Sequence, residues 1–454
     1  MVTRQGRQQY KVIVGLGSTG LSCARFFHAQ GIPFRVVDSR FSPPCLATLE
    51  VEFPFVDVEL GGFSEETLLS ADELVVSPGV SLATPEIAKA INSGIPVTGD
   101  IDIFRRYCKQ PLVAITGSNG KSTVVTLLAE MAQRAGLNMG VGGNLDGRAS
   151  MPALDMLSSE EREIYLLELS SFQLETTQHL NADIAAILNI SEDHMDRYES
   201  MHEYRQAKLR IFDGCKTAVV NRNDESTLPP GTFGGEVISI GFDIPLSNEF
   251  GIRVLEEREW LVKGEDCLIA LDEMKLVGRH NVANAMVALA VAMQIGIPLV
   301  YAVETLKQFQ GLPHRCQWVR SLRGVDYYND SKGTNVSATC QAIAGVAEKI
   351  QGDVYLIAGG LAKEADFGPL VPLLRNYVSR VVLIGRDRQL IADAIADAVA
   401  TEFAESLEEA ISTCRELAIA GDAVLLSPAC ASQDMFKDFA HRGRVFVATT
   451  EGLQ

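Results

Sequence analysis

Residues Ile115–Thr123 read ITGSNGKST, directly after the apolar run PLVA and ahead of the helical pattern VVTLLAEMAQ. The common phosphate-loop pattern, G-x-x-x-x-G-K-[ST], requires a glycine five residues before Gly120, where this chain has Ile115. The nearest upstream glycine is Gly117, which gives a shorter loop, G-x-x-G-K-S-T. Strand, loop and helix in that order are the context a phosphate loop needs, and a chance turn has no reason to carry Gly-Lys-Ser-Thr there. Backbone N–H groups around Thr116, Gly117, Ser118, Asn119 and Gly120 are expected to cradle phosphates. Lys121 would reach the terminal ones, and a hydroxyl of Ser122 or Thr123 would hold Mg²⁺. The stretch therefore sets the fold class: α/β, with a P-loop ATPase-like unit at its centre.

The pattern repeats on both sides. Upstream, KVIVGLGSTGLSCARFF is a β-branched run, a glycine turn and a helix, followed by the short strands FRVVDSR, ELVVSPG and IPVTGD. Strand and helix in alternation imply a parallel sheet with crossover helices. Downstream of GLPHRCQWV, the stretches VDYYNDSKGTN, DVYLIAGG, RVVLIG and AVLLSPACAS are strands that end in polar loops. That predicts a second open sheet whose ligands sit outside the carboxyl ends of its strands. A chain of 454 residues suggests about three domains, placed at 1–100 (Rossmann-like), 101–311 (central, ATP-binding) and 312–454 (Rossmann-like). Between about 215 and 275 the sequence reads as antiparallel strands and turns.

Composition narrows the partners. Fifty-eight acidic residues against 40 basic ones give a net charge of −18, which argues against a nucleic-acid or anionic-membrane footprint but not against small anions. No apolar run reaches the length of a membrane span, and the polar opening MVTRQGRQQY does not read as a secretory signal. Nine cysteines without a C-x-x-C pair read as reduced thiols of a cytoplasmic protein.

Other positions carry weaker signals. Gly15, Gly17 and Gly20 complete a G-x-G-x-x-G after a strand, and Asp38 ends the next strand. This suits a dinucleotide, another nucleotide diphosphate, or a turn that packs helix on strand. Glu168 closes the apolar run EIYLLE, where a strand-end acid can serve Mg²⁺. SEDHMDRY places Glu192, Asp193, His194 and Asp196 after another strand; most charges in such a cluster are solvated, and a lone histidine is more often structural than a ligand. By periodicity Lys208 reads as a cation on the solvent face of an amphipathic helix, and Asn281 as a helix N-cap. Asp330, Ser331, Lys332 and Thr334 crowd one strand end, with Lys363 and Asp366 on a second and Ser427 and Ser432 on a third.

Taken together, TGSNGKST, LELSSFQLE, NISEDHMDRY, YRQAKLRIF, GRHNVANA, GLPHR, NDSKGTN and SPACAS resemble the Mur ligase family, the ATP-dependent amide ligases of peptidoglycan precursor synthesis. With GLGSTGLS the resemblance covers nearly the whole chain, and the short phosphate loop is the family's own. It implies ATP, two Mg²⁺ ions, UDP-N-acetylmuramoyl-L-alanine and D-glutamate, and an acyl-phosphate intermediate attacked by an amine. It implies ATP contacts at Gly117 through Thr123, with Asn281, His314, Arg315 and Asp330. It implies metal contacts at Ser122, Glu168, His194 and a carbamylated Lys208. Ser18, Thr19, Asp38, Ser39, Arg40 and Asn144 match the sugar-nucleotide region, and Thr334, Lys363, Ser432 and Phe439 the D-glutamate region. Leu361-Ala362 stands where a more polar, glycine-containing pair is expected.

Three other classes account for less of the chain. An NAD-dependent dehydrogenase explains Gly15–Gly20 and Asp38 but leaves the phosphate loop idle. A P-loop switch or transport ATPase leaves the first segment idle, and a folylpolyglutamate-synthetase-like ligase lacks that segment.

Overall fold

The structure is a computed structural model that describes residues 10–145, 151–158, 162–276 and 278–454; the polar opening of the sequence, residues 1–9, lies outside the described residues. The first sheet has five parallel strands, β1 (Lys11–Val14), β2 (Phe34–Asp38), β3 (Val58–Leu60), β4 (Glu73–Val76) and β5 (Val97–Thr98), in the order β3-β2-β1-β4-β5. The central sheet takes β6 (Leu112–Thr116), β7 (Met139–Gly143), β8 (Ile164–Glu168), β9 (Ile184–Ile187), β10 (Thr217–Asn221), β11 (Glu236–Ile240), β12 (Phe250–Leu255), β13 (Arg258–Lys263) and β14 (Asp266–Ala270). Its order is β14-β13-β12-β11-β10-β9-β6-β8-β7. The third sheet takes β15 (Gln317–Leu322), β16 (Val325–Asn329), β17 (Val354–Gly359), β18 (Val378–Ile384), β19 (Thr401–Phe403) and β20 (Ala423–Leu426), in the order β15-β16-β20-β17-β18-β19. Runs such as LVAIT in β6 and VYLIAG in β17 are buried at every position. Helices cover both faces of a parallel sheet, so its inner strands lose the polar alternation.

The stretch 215–275 departs from the sequence expectation. β10 and β11 run parallel to β9 and to each other and extend the central sheet, while only β12, β13 and β14 form antiparallel pairs. The connection 222–235 is long enough to return the chain for a parallel pairing, and its turn-rich composition resembles that of a hairpin loop.

The cores show how the units are joined. Ile13, Leu16 and Phe26 of the first unit share one apolar cluster with Leu112, Ala114 and Leu167 of the central sheet, bridged by Ile101 and Phe104 of the helix Asp100–Tyr107. A second central core lies between β6 and the helices Lys121–Arg134 and Arg279–Gln294. The third unit keeps two clusters of its own, one around Ile343, Leu356 and Val381 and one around Tyr327, Ile357 and Phe446.

Within the third unit, Arg442 of the helix Phe439–Glu451 is 1 % exposed. Its guanidinium donates to Ser331 Oγ (3.0 Å), Ser331 O (2.8 Å) and Cys430 O (3.3 Å), tying the loop after β16 to the loop after β20. Burial pulls its pKa down to about 10, so it stays a cation at neutral pH. Arg442→Met would leave two buried carbonyls without donors, and the third unit is expected to lose about 2–4 kcal/mol. Urea unfolding followed through Trp318 measures this; an unchanged midpoint would remove Arg442 from the frame of the site.

Candidate active site

The loop after β6 sits at the switch point of the central sheet, between the ends of β8 and β9. Gly120 has φ +85° and its missing side chain leaves room for Asn284, which a Cβ would strike. Asn119 is clasped by Asn189, its N–H donating to Asn189 Oδ1 (2.9 Å) and its carbonyl accepting from Asn189 Nδ2 (3.1 Å). Ser118 Oγ donates to Ser191 O (2.9 Å) and lies 3.0 Å from Tyr204 Oη. Lys121 folds over the loop, its Nζ donating to Gly117 O (2.8 Å) and Ser118 O (3.0 Å).

Lys208 does not lie on a solvent face. The helix Met201–Leu209 lies across the loop, with Tyr204, Ala207 and Lys208 turned inward. Lys208 Nζ donates to Gly117 O (2.9 Å) and sits 4.7 Å from the centre of the Tyr204 ring. Burial holds its pKa well below the usual lysine range, the charge of Lys121 adds to this, and Asp193 and Glu168 oppose it. Periodicity fails here because the covering surface comes from a loop nearly a hundred residues earlier.

Glu168 and Ser122 are each 1 % exposed, Glu168 beside Ile115 in the β6–β8 register and Ser122 accepting from Arg315 Nη2 (3.3 Å). His194 has φ +60° and packs on Phe172, ring centres 4.7 Å apart. Burial lowers its pKa, helped by Lys363, Lys121 and Lys208 against Asp193, which keeps the ring neutral. Among the described residues no group of three or more His, Cys, Asp or Glu side chains is assembled as a metal cage. A buried hydroxyl and a buried carboxylate beside a phosphate loop still fit Mg²⁺, which keeps waters and takes the rest of its oxygens from phosphates.

Cavities open beside this loop and between the units. The first, about 70 Å³, is lined by Asn119, Gly120, Thr123, Asn281, Arg315 and Asp330. It shares His280, Asn281 and Arg315 with a neighbouring cavity of about 340 Å³. Asn281 is not an N-cap: Gly278 caps the helix Arg279–Gln294, and Asn281 is in its first turn, because the preceding glycine ends the irregular backbone earlier than composition suggests. His314 lines neither cavity; its Nδ1 lies 2.9 Å from Asn329 Nδ2. Asp330 accepts from Ser427 Oγ (2.7 Å) and Cys316 N (3.0 Å), and burial pushes its pKa up to about 7.

The second cavity, about 530 Å³, spans the first and central units and is lined by Gly15, Gly17, Ser18, Thr19, Asp38, Ser39, Arg40 and Ser77 on one side and Asn144 and Gln173 on the other. Asp38 accepts from Leu16 N (2.7 Å) and from Arg40 N, Nε and Nη2 (2.9, 2.8 and 2.7 Å). Burial opposes its ionisation, but these donors hold its carboxyl below the usual range. A carboxylate so engaged orders its own loop and has little left for a ribose diol.

The third cavity, about 190 Å³, brings Asp193 and His194 of the central unit against Thr334, Asn335, Lys363 and Asp366 of the third. Asn335 Nδ2 donates to Asp193 Oδ2 (3.1 Å) across this seam. Ser432 and Phe439 do not line it; Ser432 is buried, and the Phe439 ring lies 4.0 Å from Lys332 Nζ. The Leu361-Ala362 pair is held by backbone, Leu361 pairing with Ala431 and Ala362 N donating to Asp387 Oδ2 (2.8 Å), so the loop that presents Lys363 does not depend on those side chains.

Sequence reading missed Asn189, Tyr204, His280, Asn284 and Asn335. His280 and Asn284 flank Asn281 in one helix, and Asn189 follows a strand as the other site loops do; these signals were present but unspecific.

Three family models match the chain: "Mur ligase MurD-like, N-terminal domain" over residues 9–99, "Mur ligase middle domain" over 115–292 and "Mur ligase, glutamate ligase domain" over 314–430. The chain belongs to the Mur ligase family. Among family members, the UDP-N-acetylmuramoylalanine–D-glutamate ligase of Pseudomonas putida is 47 % identical over 445 residues, with 98 % of each chain covered. The enzyme of that name from Pseudomonas aeruginosa is 48 % identical over 444 residues, again covering 98 % of each. A crystal structure of MurF ligase from Thermotoga maritima in complex with ADP shares the three-unit fold at 14 % identity, with a TM-score of 0.59 over 99 % of this chain and 95 % of that one.

His280, half-buried, has its pKa pushed down to about 4, by desolvation first and Arg315 second. A depressed histidine stabilises the fold above its ordinary pKa of about 6.5, and that stability is lost as pH falls through the folded value. Wild type is expected to lose about 2 kcal/mol more than His280→Gln between pH 7 and pH 4.5. Urea midpoints at the two pH values measure it; equal losses would show that His280 is not the titrating group.

Proposed function

We propose that this chain is an ATP-dependent amide ligase that joins D-glutamate to UDP-N-acetylmuramoyl-L-alanine through an acyl phosphate, in peptidoglycan precursor synthesis in the cytoplasm. The observation that carries the reading is a phosphate loop with its own cavity, beside separate cavities between the first and central units and between the central and third units. Three reactants need three sites whose reactive ends meet. The names of relatives nearly half identical over almost the whole length support the substrates. Among the described residues no helix is long and apolar enough to cross a membrane.

The chemistry follows from the parts. The substrate carboxylate attacks the ATP γ-phosphorus, ADP leaves, and an acyl phosphate forms. The amine of D-glutamate then attacks the acyl carbon, loses a proton, and expels phosphate from a tetrahedral intermediate. Both partners of the first step are anions, so Lys121 and the loop N–H groups would neutralise the phosphates before approach. Asn281, Arg315 and Asp330 would hold the nucleoside, and His314 would act one layer behind by fixing Asn329. Ser18, Thr19, Asp38, Ser39, Arg40 and Asn144 would hold the sugar nucleotide. Lys363 and Thr334 would meet the glutamate carboxylates, with Ser432 and Phe439 shaping the loops beneath.

Ser122, Glu168, His194 and Lys208 would hold two Mg²⁺ ions, which when bound screen the triphosphate and the carboxylate from one another. An ammonium has no lone pair for a metal. Lys208 therefore serves only as a carbamate: its neutral amine attacks CO₂, one proton is lost, and an anion with two oxygens remains. Burial supplies the neutral amine this addition requires. We take 1–100, 101–311 and 312–454 as the three domains, the last closing on the others and excluding water from the acyl phosphate.

Phosphate release from ATP is expected to require both UDP-N-acetylmuramoyl-L-alanine and D-glutamate, and Lys121→Ala should reduce it at least ~100-fold. Release that ignores either substrate would overturn the reading, and near-normal turnover of the variant would remove the loop from the active site. Lys208→Arg keeps the positive charge but cannot form the carbamate ligand. It should abolish turnover, and wild type stripped of bicarbonate should slow and recover when bicarbonate returns. Normal turnover in the variant would refute the carbamate.

A further inference from the structure

Two acids sit in the first turn of the helix Asp100–Tyr107, which joins the first and central units. Asp102 is fully engaged, accepting from Gln178 N (2.9 Å), His179 N (3.1 Å) and Thr98 Oγ1 (3.4 Å). Asp100 differs. It is 3 % exposed, it lines the 530 Å³ cavity, and its Oδ1 has no hydrogen-bond partner. The preceding Gly99 packs against Thr176 of the central unit with no space for a Cβ, so the backbone entering this helix lies close to that unit. Buried acceptors are almost always satisfied in folded proteins, so an unsatisfied carboxylate oxygen on a residue that lines a cavity points to a donor on a ligand.

We propose that Asp100 is a substrate-positioning residue that accepts, through Oδ1, a hydrogen bond from an O–H or N–H of the muramoyl portion of the nucleotide sugar. This rests on the sugar-nucleotide reading of the cavity. Gly15, Gly17 and Arg40, which also line the cavity, offer backbone N–H groups and a cation suited to the diphosphate. A carboxylate set against that diphosphate would repel it, whereas the sugar hydroxyls and the acetamido N–H offer uncharged donors. Burial lifts the Asp100 pKa to about 6, so at neutral pH the group is mostly an anionic acceptor. The alternative is that Asp100 merely complements the positive end of its helix. The two differ in sign: an unsatisfied buried acceptor destabilises the ligand-free fold, whereas a helix-end charge stabilises it.

The test uses the full chain as wild type, Asp100→Ala and Asp100→Asn. Calorimetric titration with UDP-N-acetylmuramoyl-L-alanine and separately with UDP is paired with melting temperatures without ligand. Asp100→Ala should bind the sugar nucleotide about tenfold or more weakly, and Asp100→Asn, which keeps an amide oxygen, should lose less. UDP affinity should stay within about twofold, and neither variant should melt lower than wild type. Equal sugar-nucleotide affinity in all three proteins, parallel losses for UDP, or a lowered melting temperature would overturn the assignment. Failure of wild type to bind the sugar nucleotide would instead remove the reading of the cavity, and this inference with it.

Discussion

Two lysine side chains, Lys121 and Lys208, converge on one carbonyl oxygen, that of Gly117. In a chain with a net charge of −18, burial beside a second lysine favours the neutral form of Lys208. Burial first, and neighbouring lysine charges second, lower the Lys208 and His194 pKa values. Lys121 and the N–H groups of the loop suit polyanions such as a triphosphate. The frame that holds the lysines together is neutral: Asn189, Ser191 and Tyr204 bind the loop without adding charge.

Around that centre the units are joined in two different ways. The first and central units share a continuous apolar core, so the 530 Å³ cavity between them has rigid walls. The third unit has its own cores and meets the loop through polar side chains, Arg315 on Ser122 and Asn335 on Asp193 and Asn119. Polar seams exchange with water at small net free-energy change, whereas separating a shared core exposes apolar surface at about 25 cal/mol per Å². A ligase that must admit ATP and an amino acid and then exclude water is suited by one fixed joint and one that can open.

Much of the site was legible from the chain because its residues lie at strand ends. Apolar runs ending in Gly, Ser, Asp or Lys mark β6, β8, β16, β17 and β20, and three of those ends frame the third-unit loops. Illegible were the residues whose roles depend on a surface contributed from far along the chain. Asn189 and Asn284 hold the phosphate loop by packing against it, and Lys208 is inward because the loop covers it. Asp100 and Asp102 have the same sequence character two residues apart, yet one is satisfied by a distant backbone and the other is not.

The sequence by itself determined the order of strands and helices, the phosphate loop with its Lys121 and Ser122, and the family to which the chain belongs. Hydrophobic periodicity and strand-end chemistry are local and survive in one dimension. Only the tertiary structure decided that β10 and β11 run parallel, that His314 faces Asn329 and not the cavity lined by Asn281 and Arg315, and that Thr334 and Lys363 share a cavity with His194 while Ser432 and Phe439 do not line it. Pairing direction, burial and the field at a titratable group are set by atoms distant in sequence, and no local pattern encodes them.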